Sequence, residues 1–240
     1  MTTNTMEKKK NLVFTATYNE AENIKNFLDV VLKFEDLDVL IVDDNSPDKT
    51  YEIIEEFKKN YNNLILIRRD GKLGLDTAHK LGFNFAKENN YEKLITLDAD
   101  LSHDPIKIKD FINELDFHSF VIGSRYIHGG KNKMKLSRLV LSYFGNKLIK
   151  YVLRIKSDEF TTSFRGFNLK KLKNFDINNV QSKGYSFFME TIYWINKSGY
   201  EIKQIPIIFV DRDKGKSKIS KIESFRTLKN LFLLLTKSKK

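Results

Sequence analysis

The feature that most constrains this chain is a repeat of short apolar runs, each ending in polar or acidic residues. Leu12 to Thr17 runs into Tyr18-Asn19-Glu20, and Ala21 to Phe34 then carries Ile24, Phe27, Leu28, Val31 and Leu32 at helical spacing. Val39 to Val42 runs into Asp43-Asp44-Asn45-Ser46-Pro47-Asp48, and a helix with Ile53, Ile54 and Phe57 inward is expected after it. Leu64 to Ile67 is followed by a loop, Arg68 to Leu75, with Gly71 and Gly74, and by a helix to about Asn89 that Asp76 is placed to cap. A fourth run, Leu94 to Leu97, opens into Asp98-Ala99-Asp100-Leu101-Ser102-His103-Asp104-Pro105. Strand and helix alternating in this way predict an α/β fold with a mostly parallel central sheet and helices on both faces.

In such a sheet the carboxyl ends of the strands share one edge, and ligands bind there. Tyr18, Glu20, Asp43, Asp44, Asp98 and Asp100 are therefore expected together. Two carboxylates one residue apart repel unless a cation or hydrogen-bond donors lie between them. A hard divalent ion such as Mg²⁺ takes oxygen ligands and leaves positions open for phosphate. The competing reading of Asp98 to Asp104 is a polar loop with a helix cap at Ser102 or Asp104. No G-x-G-x-x-G follows the first run and no G-x-x-x-x-G-K-[ST] occurs, which argues against a dinucleotide or P-loop enzyme.

Charge narrows the partners. The chain carries +11 formally, and no Asp or Glu falls from Phe117 to Ser157. That favours an anionic partner: nucleic acid, a membrane surface or a phosphorylated substrate. There is no cysteine, so disulfides and zinc–thiolate sites are excluded. Met1 to Lys10 has no apolar core of a signal peptide, and Leu231 to Leu235 is too short to span a bilayer. The second half reads as a helix from Ile106 to Leu115, a strand from Phe120 to Ile122, a mobile basic loop opened by Gly129-Gly130, and a helix from Leu136 to Leu153. That helix suits a core position, with an interfacial helix facing anionic lipid as the alternative. A further helix runs to about Lys197, and Ile202 to Val210 is an edge strand or strand pair containing Pro206.

Seven motifs occur in order: Thr17-Tyr18-Asn19-Glu20, Val42 to Asp48, Gly71 to Leu75, Asp98 to His103, Gly123-Ser124-Arg125-Tyr126, Thr162-Ser163-Phe164-Arg165 and Gly215-Lys216-Ser217-Lys218. Together they resemble the family 2 glycosyltransferases, and within them the dolichyl- and polyprenyl-phosphate mannosyltransferases. The resemblance implies a GT-A type fold for transferring sugars from nucleotide diphosphates. It implies a single catalytic domain over 11–225, with a nucleotide-sugar half (11–105) and an acceptor half (106–225). Residues 1–10 are then a flexible N-terminus and 226–240 a basic amphipathic tail.

The resemblance also implies a nucleotide sugar, with GDP-mannose leading, and a polyprenyl phosphate acceptor. It places Ala16, Tyr18, Glu20, Val42, Asp43 and Asp44 at the nucleoside. Asp98, Ala99 and Asp100 fall at the diphosphate, with Asp98, Asp100 and Ser102 as ligands of Mg²⁺ or Mn²⁺. Arg125 and Arg212 lie near the phosphates, and Lys218 belongs to a closing loop. Arg125 and Arg165, with forked donors, suit the acceptor phosphate. Asp100, Arg125 and Arg212 are the expected catalytic groups.

Ser102 stands where some relatives carry Gln, and transmembrane helices that follow the catalytic domain in many relatives are not seen in this sequence. The expectation is thus an inverting, metal-dependent transferase, peripheral at the cytoplasmic membrane face, reaching lipid directly or through a separate membrane protein, and with no nucleic acid partner. Two alternatives stand: a UDP-sugar donor with a glycan acceptor, and a basic lipid- or nucleic-acid-binding module with an inactive transferase fold.

Overall fold

A computed structural model describes residues 10–211 and 221–237, with the side chains of the last segment described over 226–235. The first half alternates strand and helix as the sequence predicts. β1 (Asn11–Thr17), α1 (Ala21–Val31), β2 (Leu37–Asp43), α2 (Thr50–Lys58), β3 (Leu64–Arg68), α3 (Leu75–Glu88) and β4 (Lys93–Thr96) follow in turn. The second half adds α4 (Ile108–Phe117), β5 (Phe120–Ser124), β6 (Lys131–Lys133), α5 (Leu136–Leu153), β7 (Arg165–Asn168), α6 (Ser186–Lys197), β8 (Lys203–Pro206), β9 (Ile208–Val210) and α7 (Lys221–Lys237).

Seven strands form one sheet in the order β3-β2-β1-β4-β7-β5-β8. All pairs are parallel except those of β7, which runs antiparallel to β4 and to β5. Strand order reverses direction between β1 and β4, so the crevice outside their carboxyl ends is the switch point. The loops after β1 and β4, Tyr18 to Glu20 and Asp98 to Asp100, flank it.

Alternation along β1 and β2 feeds two core layers. Leu12, Phe14, Leu40 and Val42 meet α3 and α6 on one face. Val13, Val39 and Ile41 meet α1, α2 and α4 on the other. Helix α3 lies so close to the sheet that a Cβ at Gly82 would sit 2.4 Å from the Phe14 ring. His79, one turn earlier, is buried between Phe14 and Phe188, each with ring centroids 5.0 Å away.

Four expectations change. Asp76 does not cap α3; its Oδ1 accepts from the Gly184 N–H at 3.0 Å and ties the helix to the start of α6. The Gly129-Gly130 loop leads into a strand, β6, paired in parallel with β9. Helix α5 is not a core helix: only Asn146 and Ile149 are buried along it. Helix α7, expected as a tail, buries Leu231 and Leu234 in the core, so it is part of the domain. The N-terminal residues 1–9 lie outside the described residues.

Two outcomes follow from the α3 contact. Gly82→Ala overpacks Phe14 and is expected to destabilise the fold by about 1–3 kcal/mol in urea titration. Burial, and then the charge of Arg165, lower the His79 pKa to about 3. The unfolded chain therefore binds the extra proton as acidity rises. The contribution of His79 is complete above the ordinary histidine pKa and is lost as pH falls toward its folded value. Urea midpoints between neutral pH and pH 3 should fall less steeply for His79→Leu than for the parent.

Candidate active site

The carboxyl edge of β1 and β2 is held by side chains of one strand end bonding to the side chains and backbone of the next. Asp43, fully buried, accepts from Thr17 Oγ1 at 2.8 Å, from the Ser46 N–H at 2.9 Å and from Ser46 Oγ at 2.5 Å. Ser46 Oγ in turn accepts from the Asn19 N–H at 3.0 Å. Asp48 accepts from the Ala21 N–H at 2.9 Å, and Thr50 Oγ1 from the Glu20 N–H at 3.0 Å. The N-terminus of α1 is thus capped from the neighbouring loop, because Glu20 makes no side-chain cap of its own. Asp44 accepts from Arg69 Nε and from the N–H groups of Leu73 (3.1 Å) and Gly74 (3.3 Å), fixing the glycine loop. Lys72 of that loop lies 4.2 Å from the Tyr18 ring centroid. Glu20 Oε2 accepts from Asn23 at 2.9 Å.

Asp43 and Asp44 are therefore both tied into this edge, Asp43 by Thr17 and Ser46 and Asp44 by Arg69 and the glycine loop. The side chains of Val42 and Ala99 are buried in the core, so only their backbone can face a ligand. Ala16, Tyr18 and Asp98 are partly exposed.

After β4 the chain turns through Leu101 at φ 57°, a conformation uncommon for a non-glycine side chain. Bonds on either side hold it: Asp100 Oδ1 accepts from the Ser102 N–H, and Ser102 O accepts from the Val210 N–H, both at 3.0 Å. Asp104 caps the short turn before α4 by accepting from the Ile106 N–H at 3.0 Å. Ser102 Oγ, His103 Nδ1 and Ser163 Oγ are buried with no hydrogen-bond partner among the described residues. Unsatisfied buried oxygens beside two carboxylates match the ligand chemistry of a hard divalent cation. Asp98, Asp100 and Ser102 would hold it, with ligand oxygens completing the shell. No group of three or more His, Asp or Glu that could do so alone occurs among the described residues.

Arg125 closes the other side. It is buried and forms a two-pronged ion pair with Glu159, both contacts at 2.7 Å, and bonds Thr161 Oγ1 at 2.9 Å. Its Nη1 has no hydrogen bond among the described residues. Burial alone would raise the Glu159 pKa, but Arg125 and the Thr161 donors hold it below the ordinary carboxylate value. Gly130 lets the following loop approach, since a Cβ there would lie 2.7 Å from the Ser124 carbonyl oxygen. Arg165 is not a phosphate ligand. It is 1% exposed and donates to the carbonyls of Thr162, Phe188 and Phe160 at 2.8, 2.8 and 3.0 Å. Three inward carbonyls took the fork that the sequence offered to phosphate.

The ring of Phe209 joins the two sides. Its centroid lies 5.3 Å from the His103 ring centroid and 5.3 Å from the Arg125 guanidinium carbon. Burial, then Arg125, lower the His103 pKa to about 4, which keeps it neutral at physiological pH. Arg138, at the start of α5, pairs with Asp211 at 2.5 Å. Arg212 and Lys218 lie outside the described residues. Glu159, Phe209 and Arg138 were missed in the sequence, and His103 was read there only as the end of the acidic motif. Only Glu159 left a signal there: it stands at the point where acids return after the acid-free stretch.

An open sheet with a D-x-D loop at its switch point and a buried arginine across from it defines a GT-A type glycosyltransferase. The model of glycosyl transferase family 2 matches residues 12–175, and the chain belongs to that family. The chain is 31% identical over 216 residues to a polyprenol monophosphomannose synthase of Mycolicibacterium smegmatis, covering 88% of this chain and 82% of the relative. It is 32% identical over 214 residues to an undecaprenyl-phosphate mannosyltransferase of Micrococcus luteus, covering 87% of each. A solved mannosyltransferase of Pyrobaculum calidifontis, in complex with GDP-Man and Mn²⁺, shares the fold at a TM-score of 0.54 and 17% identity, over 88% of this chain and 59% of that one.

Glu159→Ala would leave the Arg125 charge buried without its partner. The expected cost is about 3–5 kcal/mol in urea denaturation, and a cost under about 1 kcal/mol would show that solvent already satisfies Arg125.

Proposed function

We propose that this enzyme transfers mannose from GDP-mannose to a polyprenyl phosphate, with inversion at the anomeric carbon and with bound Mg²⁺ or Mn²⁺. The observation that supports the reading most is that His103, at the end of the acidic loop, and Arg125 both pack against Phe209. The names of the relatives support the sugar and the lipid acceptor. The structural neighbour supports the donor and the metal.

A phosphate oxygen of the acceptor bonds to the anomeric carbon as the bond to the GDP oxygen breaks, and GDP leaves with that electron pair. The acceptor phosphate is ionised at neutral pH, so no general base is required. The cation, when bound, offsets negative charge on the diphosphate as it departs. Tyr18, Glu20 and Asp44 line the nucleoside side of the crevice, and Asp98 and Asp100 take the diphosphate side. Arg125, turned by Glu159, offers its remaining donors to phosphate, and Arg212 and Lys218 add positive charge. A buried pre-oriented guanidinium needs little rearrangement as charge develops. Residues 11–105 serve the nucleotide and 106–225 the acceptor. The enzyme works peripherally at the cytoplasmic membrane face; among the described residues no helix is long and apolar enough to cross a membrane.

The test is transfer of radiolabel from GDP-mannose into an organic-extractable lipid, with purified protein, polyprenyl phosphate and Mg²⁺ or Mn²⁺. Label should enter the lipid phase, vanish with chelator, and fall by about 10²-fold or more in Asp100→Ala. Label from UDP-sugars alone would overturn the donor, and full activity of Asp100→Ala would overturn the site.

A further inference from the structure

Helix α5 is apolar on two faces. One serves the core; on the other Leu141, Phe144, Leu148 and Tyr151, at spacings of three, four and three, are 64%, 65%, 43% and 83% exposed. Leu136 and Val140 extend the same stripe toward the start of the helix. The face turned into the protein carries Ile149, Val152 and Leu153 together with Ser142 and Asn146, whose Nδ2 donates to the Ser142 carbonyl while its Oδ1 accepts from the Phe160 N–H. Helix α7 packs beside α5 and adds Leu228, Phe232 and Leu233 to the exposed apolar surface. An apolar surface of this size on one pair of helices calls for a partner.

Charge says which partner. Lys147, Lys150 and Arg154 flank the stripe on one side, and α5 itself carries no acid. Asp158 pairs with Lys147 at 3.6 Å and Lys150 at 2.7 Å, leaving the exposed Arg154 and Lys156 with no ion pair among the described residues. From Arg226 to the last residue the sequence is also free of acids. Where α5 ends, a groove of about 470 Å³ is lined by Tyr151, Val152, Ile155 and Leu235 together with Lys150, Arg154 and Lys156. Apolar walls beside three cations suit an acidic headgroup with its acyl chain alongside. A second copy of this chain would instead set these cations against their own kind.

We propose that the α5–α7 face lies on a bilayer containing acidic phospholipid, with the Arg154–Lys156 groove taking a headgroup phosphate. This rests on the membrane-peripheral reading above and names the surface that performs it. The groove is distinct from the transfer site. Ser142, which bonds Tyr126 beside Arg125, is twelve residues before Arg154, or about 18 Å along the helix axis. A helix lying flat in this way has its first turns at the site, where a lipid-borne acceptor phosphate must arrive, and its last turn at the groove.

Vesicle co-sedimentation tests the proposal, with phosphatidylcholine vesicles with and without phosphatidylglycerol. Transfer to a short-chain, water-soluble polyprenyl phosphate is measured on the same proteins, and melting curves report folding. The parent should bind the acidic vesicles, and more weakly as salt rises. Phe144→Ser with Leu148→Ser should lower that binding by about tenfold or more. Arg154→Gln and Lys156→Gln should each lower it by about fivefold, and only for acidic vesicles. Both sets change exposed residues, so melting and short-chain transfer should stay near the parent values.

Parent protein that ignores acidic vesicles, or variants that bind them like the parent, would overturn the proposal. So would a parent dimer in sedimentation velocity that Phe144→Ser with Leu148→Ser dissolves, which would assign the face to a second copy. Short-chain transfer without vesicle binding would sink the docking face and leave the transferase reading intact. Vesicle binding without any transfer would do the reverse.

Discussion

A buried carboxylate must be met by donors, and Asp43 meets that demand by joining the loops after β1 and β2. It takes the Thr17 hydroxyl from the end of β1 and both donors of Ser46 from its own loop, and Ser46 then holds the Asn19 backbone. Without this chain of bonds, the carboxyl ends of β1 and β2 would present unpaired polar groups beside the switch point. Asp48 and Thr50 repeat the device one turn later on Ala21 and Glu20. The N-terminus of α1 is therefore aimed by residues of the β2 loop. Neighbouring loops are registered to one another before any ligand arrives, which is what a preorganised site requires.

The second half uses the same physics with the opposite charge. Arg125 is buried beside Glu159, and each group holds the other in its charged form against burial. The pair is not in itself a strong source of stability, since desolvation offsets most of its attraction. Its effect is orientation: the guanidinium is fixed on one side and keeps donors on the other. Phe209 then sets how far that cation stands from the acidic loop, and the Val210 bond to the Ser102 carbonyl keeps the strand carrying Phe209 in register with that loop.

The first hundred residues were legible because hydrophobic period and strand-end acidity pointed the same way. β1, β2 and β3 each contain the apolar run that announced them, and β4 contains all of its run but Leu97. Less was legible where one residue type serves two chemistries. Arg165 and Arg125 both carry a fork that fits phosphate. Only the fold places three carbonyls around the first, and a carboxylate on one side of the second. Asp76 was an N-cap by position, yet the approach of the α6 segment gave it a backbone N–H more than a hundred residues away. β7 is four residues long and contains Arg165 and Gly166, so its place between β4 and β5 comes from pairing, not from its own pattern.

Helix α5 fails to declare itself for a different reason. Periodicity reports that apolar residues share a face; it does not report what lies opposite that face. In most helices of a soluble domain the two questions have one answer, because only one face is apolar. Here Ile149 and Val152 serve the interior while Leu141, Phe144, Leu148 and Tyr151 serve the outside, so no single stripe stands out. The polar residues resolve the ambiguity once the fold is known. Asn146 bonds a backbone amide of the Phe160 segment, a partner it can reach only from the inward side. The lysines and Arg154 lie to one flank, where long stems can cover apolar surface and keep their charges in the aqueous layer. A helix with a bonded amide inside, bare leucine and aromatic side chains outside, and cations along its border is consistent with a surface that exchanges water for something both apolar and negative.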